Sequence, residues 1–272
     1  RLNEIAKVVL LHGMGGTGAL WRPVAAGLEE HCSILAPDQR GHGQSTVDLK
    51  TGFAPLDYGR DVQDTLKARS FSPAYVVGHS MGVRTACAIA HLEPDLVRGL
   101  VLVDIGLEGA AGGGLGDTLG SFLRILPMTF PDRAQARDFV QARCPDPAIG
   151  QYLMAVLALG QKSAQGVTFP FQKEALLKTI DEAKKADLRP WIRDFAALGR
   201  PVIILRGQKT TVWTEAEFDD ERRRFADLPS IRFENWPDTG HGLPFDQRAK
   251  FTQCITEMIR SDASHISPRN PA

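Results

Sequence analysis

Gly78-His79-Ser80-Met81-Gly82 directly follows the apolar run Ala74-Tyr75-Val76-Val77 and precedes a helix-like stretch, Val83 to Ala90. A serine held between glycines at a strand-to-helix junction sits on a sharp turn with its hydroxyl exposed. The glycines answer a steric demand, because strand and helix come close enough there that a side chain two residues to either side of Ser80 would clash. A hydroxyl is a weak nucleophile at neutral pH and needs a base within hydrogen-bond reach, most often a histidine. The five-residue pattern alone recurs by chance, and its placement between strand and helix is what gives it weight.

Seven histidines compete for the role of base. His241 lies in Asp238-Thr239-Gly240-His241-Gly242, after the last strand-like run and before the last helical one, and it follows the serine in the chain order Ser…His. His12 and His42 lie in glycine-bracketed loops, where imidazole more often bonds backbone than moves protons. His79 is turned away from the nucleophile by the geometry of the turn, and His31, His91 and His265 fall at helix ends or in the tail. Acyl transfer also needs donors for the developing oxyanion. The residue after the serine, Met81, offers one backbone N–H. The loop His12-Gly13-Met14-Gly15-Gly16 offers a second at Met14. A tight turn or a phosphate-cradling loop is the other account of that glycine cluster, but neither G-x-G-x-x-G nor a Walker lysine accompanies it.

These groups must be positioned by a scaffold. Buried-strand runs recur at Val8 to Leu11, Ile34 to Ala36, Ala74 to Val77, Leu100 to Val103, Val202 to Leu205 and Ile231 to Glu234. Between them apolar residues repeat at helical spacing, as in Leu20, Trp21, Val24 and Leu28, or Phe251, Ile255, Met258 and Ile259. This alternation predicts an α/β fold, a mainly parallel central sheet with helices on both faces, with ligands bound beyond the carboxyl ends of the strands. It breaks between about Gly106 and Pro190, where a glycine-rich stretch, Gly109 to Gly116, leads into helical segments near 118–126, 133–142, 151–159 and 172–186. The expected layout is a core of residues 1–106 and 190–260, a helical cap insertion over 107–189, and a flexible polar tail over 261–272.

Composition narrows the class. Lys plus Arg and Asp plus Glu each total 32, so the net charge is zero and there is no basic footprint for nucleic acid. The expected partner is a small molecule. Four separated cysteines, Cys32, Cys87, Cys144 and Cys254, lack C-x-x-C clustering and read as free thiols, with no metal site implied. No apolar run approaches the ~18 residues needed for a membrane span, and a cytoplasmic location is the expectation. The chain opens on Arg1, and whether a natural start or a leader precedes it is left open.

Together these pieces resemble the α/β-hydrolase superfamily from Val8 to about Arg260. His12 to Gly16 is similar to the oxyanion loop, Asp38-Gln39-Arg40-Gly41-His42-Gly43-Gln44-Ser45 to the D-x-R-G-H-G-x-S loop, Asp187-Leu188-Arg189-Pro190 to the return from a cap, and Gly240-His241 to the catalytic histidine loop. The motifs are specific for fold and weak for substrate. The usual pair of strands ahead of Val8 is not apparent; either they are missing from this sequence or Leu2 to Ile5 is a remnant of them. Val83 stands where a second glycine often follows the elbow.

The main departure concerns the triad acid. Relatives usually carry it a few residues after the strand represented here by Val202 to Leu205, and this sequence has threonines there, in Gln208-Lys209-Thr210-Thr211-Val212-Trp213. Asp104, at the end of the strand after the nucleophile strand, is the leading substitute and resembles a minority arrangement of the superfamily. A missing acid, or a later residue such as Glu215 or Asp238, are the alternatives. Apolar residues of the insertion, Phe122 and Met128 among them, and Trp213 at the altered loop, are expected either to line an apolar acyl or aromatic pocket or simply to pack. The resemblance implies a serine hydrolase of a carboxylic ester, thioester or lactone, with Ser80 as nucleophile, His241 as base, Asp104 as orienting acid, and no cofactor. The rivals are a carbon-carbon bond hydrolase or cofactor-free oxygenase on the same scaffold, and a non-enzymatic small-ligand sensor.

Overall fold

The computed structural model describes residues 5–109 and 115–266. β1 (Ala6–Leu11) leads through a 3-10 turn (Gly18–Trp21) and a short α1 (Arg22–Ala25) to β2 (Cys32–Leu35), followed by α2 (Pro55–Ala68), β3 (Ala74–His79), α3 (Met81–Leu92) and β4 (Val97–Val103). The chain then leaves the sheet for α4 (Leu115–Ile125), β5 (Thr129–Phe130), α5 (Arg133–Arg143), α6 (Pro147–Ala158), β6 (Gln161–Ser163), β7 (Gly166–Thr168) and α7 (Lys173–Ala183). It returns through α8 (Arg189–Ala197) to β8 (Val202–Gly207), α9 (Glu215–Arg224), β9 (Ile231–Trp236), α10 (Leu243–Asp246) and α11 (Arg248–Ile266).

Six strands form one parallel sheet in the order β2-β1-β3-β4-β8-β9. Alternate residues of each strand serve opposite faces, as the two-residue pleat requires. Val9, Leu11, Val76, Leu100, Leu102 and Ile204 pack with residues of α2, α3 and α8. Val8, Leu10, Val77, Val101, Val103 and Leu205 pack against Trp21, Trp236, Phe251 and Ile255. Burial on both faces explains why these strands read as unbroken apolar runs. β1 lies between β2 and β3, so successive connections run to opposite sides of it. A crevice opens at the carboxyl ends of β1 and β3, where the order reverses.

The segment between β4 and β8 has its own core, with Phe122, Leu123, Leu126, Leu153, Leu157 and Phe169 buried together. Its ends are tied: the Leu188 N–H donates to Leu107 O at 2.8 Å, and Arg189 pairs with Glu108 and Asp187 at 2.9 and 2.8 Å. It contains a three-stranded antiparallel sheet, β5-β7-β6, that the sequence pattern did not suggest. Those strands are two or three residues long and β6 is wholly exposed, too short and too polar for a period to register. The run Leu20 to Leu28 also differs from a single helix, being split into a 3-10 turn and the four-residue α1 with Pro23 in its first turn. α11 continues past Arg260 to Ile266, beyond the point where polar composition suggested fraying, and residues 267–272 of the expected tail lie outside the described residues, as do 110–114 of the glycine-rich stretch.

Candidate active site

Ser80 occupies the turn between β3 and α3 with φ +53° and ψ −120°, a conformation that L-residues rarely adopt. Backbone bonds hold it there: its N–H donates to Val103 O at 2.9 Å, and Val83 N–H donates to its carbonyl at 2.9 Å. The flanking glycines are where strand, helix and β1 touch. A Cβ on Gly78 would come within 2.3 Å of Gly82 O, and one on Gly82 within 2.3 Å of Leu11 O. The bond to Val103 also places the serine beside the end of β4, where the next residue is Asp104.

Asp104 is 0% exposed and adopts φ +60°. Its N–H is anchored on Leu205 O at 2.8 Å, and its carboxylate accepts three hydrogen bonds. Oδ1 accepts from the Gly207 N–H at 2.8 Å; Oδ2 accepts from the Thr210 hydroxyl at 2.6 Å and from His241 Nδ1 at 2.8 Å. A ring that donates from Nδ1 presents Nε2 as a proton acceptor. The other two candidate acids lie elsewhere. Asp238 pairs with Lys209 at 2.9 Å and is 84% exposed, and Glu215 accepts from Asn235 at 3.4 Å.

His241 is fixed from behind by a group to which sequence reasoning gave no part. The His79 ring lies 4.8 Å from the His241 ring, centroid to centroid, and its Nε2 donates to the His241 carbonyl at 2.7 Å. The orientation away from the serine follows from the turn, but what His79 faces could not be read without the fold. The loop after β8 adds a second clamp, Lys209 N–H donating to Thr239 O at 2.9 Å. In this conformation the Ser80 hydroxyl is not hydrogen-bonded to the imidazole, which is 27% exposed. Such contacts are commonly loose before substrate is seated.

A profile of the alpha/beta hydrolase fold matches residues 7–247. The chain belongs to the alpha/beta hydrolase fold family. It is 28% identical over 227 residues to the 2-(acetamidomethylene)succinate hydrolase of Mesorhizobium japonicum, covering 82% of this chain and 78% of that one. It is 24% identical to the mouse (Mus musculus) sn-1-specific diacylglycerol lipase ABHD11, over 93% and 80% of the two chains. Among solved structures, an esterase from a marine microorganism superposes with a TM-score of 0.77 at 19% identity, covering 93% and 95%, which speaks to the fold alone. The relatives are hydrolases, and this chain is an α/β-hydrolase enzyme.

Within this hydrolase, Thr210 stands in the loop where the acid was sought and instead donates to an acid carried by the neighbouring strand. Thr210→Val is expected to lower stability by about 1–3 kcal/mol, the cost of leaving a buried acceptor short of a donor, read as a shifted denaturant midpoint. The glycine-rich loop after β1 is held by two buried histidines that the sequence placed in structural roles. His42 Nε2 accepts from the Gly15 N–H at 2.9 Å while Nδ1 donates to Arg40 O, and His12 Nε2 accepts from the Gln39 N–H at 3.0 Å while Nδ1 donates to Gly13 O. Among the described residues the Met14 amide has no backbone acceptor, and Met81 opens α3, where first-turn amides lack intrahelical partners.

Burial pushes His12 and His42 down to about 4 and about 3, and His79 down as well. Below the unfolded value of 6.5 the unfolded chain takes up protons that the folded chain refuses, so stability falls as pH drops. Glu221, raised to about 7 by burial, works in the opposite sense, contributing at low pH and losing its contribution as pH rises through 7. With three histidines against one carboxyl, the melting temperature is expected to fall steadily from pH 6.5 toward pH 4. A flat profile over that range would show that these rings titrate normally.

A cavity of about 620 Å³ opens beside the serine. Ser80, Met14, Met81 and Trp213 contribute to its wall, together with Leu119 and Ile180 of the inserted segment. Asp104 lies behind the wall, and His241 is not part of it in this conformation. Trp213 therefore borders the site as expected, but Phe122 and Met128 do not. Phe122 faces inward in the insertion's core, its ring 6.3 Å from that of Phe139, and Met128 packs on the same cluster. The physical reason is position along α4: its cavity-lining residues, Gly116, Asp117 and Leu119, belong to its first half, and Phe122 lies further on, packed toward Phe139 of α5. Sequence reasoning passed over Arg84, Arg189 and Glu221, which also border the cavity.

Proposed function

We propose that this hydrolase cleaves a carboxylic ester, thioester or lactone through an acyl-enzyme on Ser80. The carrying observation is the 2.8 Å bond from His241 Nδ1 to the fully buried Asp104, because it supplies the orienting acid that the altered loop lacks. Ser80 Oγ attacks the carbonyl carbon as its proton passes to His241 Nε2, and the negative oxygen that forms is met by the Met14 and Met81 amides. Collapse expels the alcohol or thiol, which takes the proton from His241. Water then attacks the acyl-enzyme with His241 again as base, releasing the acid and Ser80. The ionised carboxylate balances the transient imidazolium throughout. The insertion over 107–189 acts as a cap, since its Leu119 and Ile180 close one wall of the cavity. A missing acid would favour the non-enzymatic sensor, and the bond between His241 and Asp104 supports the enzyme reading instead.

Rapid mixing with a short-chain aryl ester tests this reading. The expected result is a burst of phenol release close to one equivalent of enzyme, with an acyl group recovered on the Ser80 peptide after acid quench. Turnover with no burst and no adduct under conditions of slow deacylation, or no turnover across esters, thioesters and lactones, would reject it.

A further inference from the structure

The cavity wall carries eight charged side chains, and six have partners. Arg189 pairs with Glu108 and Asp187, Lys184 with Asp117, and Asp220 with Arg224, while Glu217 accepts from the Thr214 N–H and hydroxyl. The remaining two are Arg84 and Glu221. Arg84 projects from α3, one helical turn beyond Ser80, and is 8% exposed; its Nη1 is wholly buried and has no hydrogen-bond partner among the described residues. Glu221 Oε2 is likewise buried without a partner, and the two side chains are not bonded to each other.

An unpaired buried guanidinium is costly, because its hydration is lost with nothing in return. It stays charged, since arginine does not deprotonate in proteins. Such a group persists where an anion completes it, and a planar fork of N–H donors matches a carboxylate in geometry. We propose that Arg84 is the seat of a carboxylate carried by the substrate, so that the natural substrate is an acidic ester or thioester rather than a neutral lipid. The inference rests on the reading of this cavity as the substrate site. Glu221 lies on the same wall with its pKa raised to about 7 by burial, and below that pH its uncharged acid form does not compete for the cation. The oxyanion amides at one part of the wall and Arg84 at another then fix the substrate at two points.

Calorimetric titration of the Ser80→Ala protein with hexanoate, adipate and hexanamide tests the assignment, with Arg84→Met and Arg84→Lys made in the same background. The carboxylates are expected to bind at least about tenfold more tightly than the amide, the worth of one charge-assisted hydrogen bond. Arg84→Met should erase that difference and raise the melting temperature of the unliganded protein, since it removes an unpaired buried charge; Arg84→Lys should retain part of the difference. Carboxylates that bind no better than hexanamide, a preference that survives Arg84→Met, or a lower melting temperature in Arg84→Met would each overturn the proposal. The last would mark Arg84 as a structural partner of Glu221. The titration reads binding alone, so it stands or falls separately from the ester burst.

Discussion

Ser80→Ala is expected to reduce ester turnover by about 10⁶-fold in kcat, leaving only what a positioned oxyanion site achieves with water. The magnitude follows from the loss of the covalent route as a whole. It should come without a folding defect. The strained backbone at Ser80 is held by the bonds to Val103 O and from Val83 N–H, and the serine side chain caps nothing in α3. An alanine Cβ occupies the place of the serine Cβ, so the melting temperature should hold while the rate collapses. Steady-state assays at high enzyme concentration, with melting curves alongside, check both halves. Activity retained within tenfold would remove Ser80 from the chemistry.

Asp104→Asn is the second large effect, about 10⁴-fold in turnover. The orientation of the new amide is decided by its neighbours. Gly207 N–H can only donate, so the carboxamide oxygen must stay on the Oδ1 side and the NH₂ must take the Oδ2 side. Thr210 can turn its hydroxyl to accept, but His241 can accept at Nδ1 only by moving its proton to Nε2. That tautomer cannot receive the proton of Ser80. The substitution therefore preserves shape and reverses the direction of two hydrogen bonds, those to Thr210 and His241, and turnover near neutral pH is the readout. A loss of less than tenfold would mean that His241 is oriented by something other than this carboxylate.

The scaffold was legible because the central strands β1, β3, β4 and β8 are buried on both faces and so read as continuous apolar runs. The turn at Ser80 was legible because Gly78 and Gly82 are forced by backbone contacts that tolerate no side chain. Asp104 was reached through the resemblance, as the position where a minority of the superfamily carries its acid, with a missing acid, Glu215 and Asp238 left as alternatives. Its three donors come from Gly207, Thr210 and His241, more than a hundred residues away in each case, and no local pattern brings them together. The pocket was the least legible part. Phe122 and Met128 look alike in sequence whether they turn to ligand or to core, and what decides is how the inserted segment packs on itself and over the main sheet. Arg84 falls inside the stretch from Val83 to Ala90, whose pattern shows only a helix. Its interest lies in what does not touch it, which no sequence displays.

The proposed chemistry depends on a serine activated by a histidine that Asp104 holds in place. Covalent labelling by a fluorophosphonate at neutral pH, followed by intact mass for the unaltered protein, Ser80→Ala and Asp104→Asn, tests it most directly. Rapid addition of a single label is expected for the unaltered protein, none in Ser80→Ala, and a rate at least about a hundredfold lower in Asp104→Asn. A folded protein that takes no label, or one labelled equally fast without the Asp104 carboxylate, would contradict it.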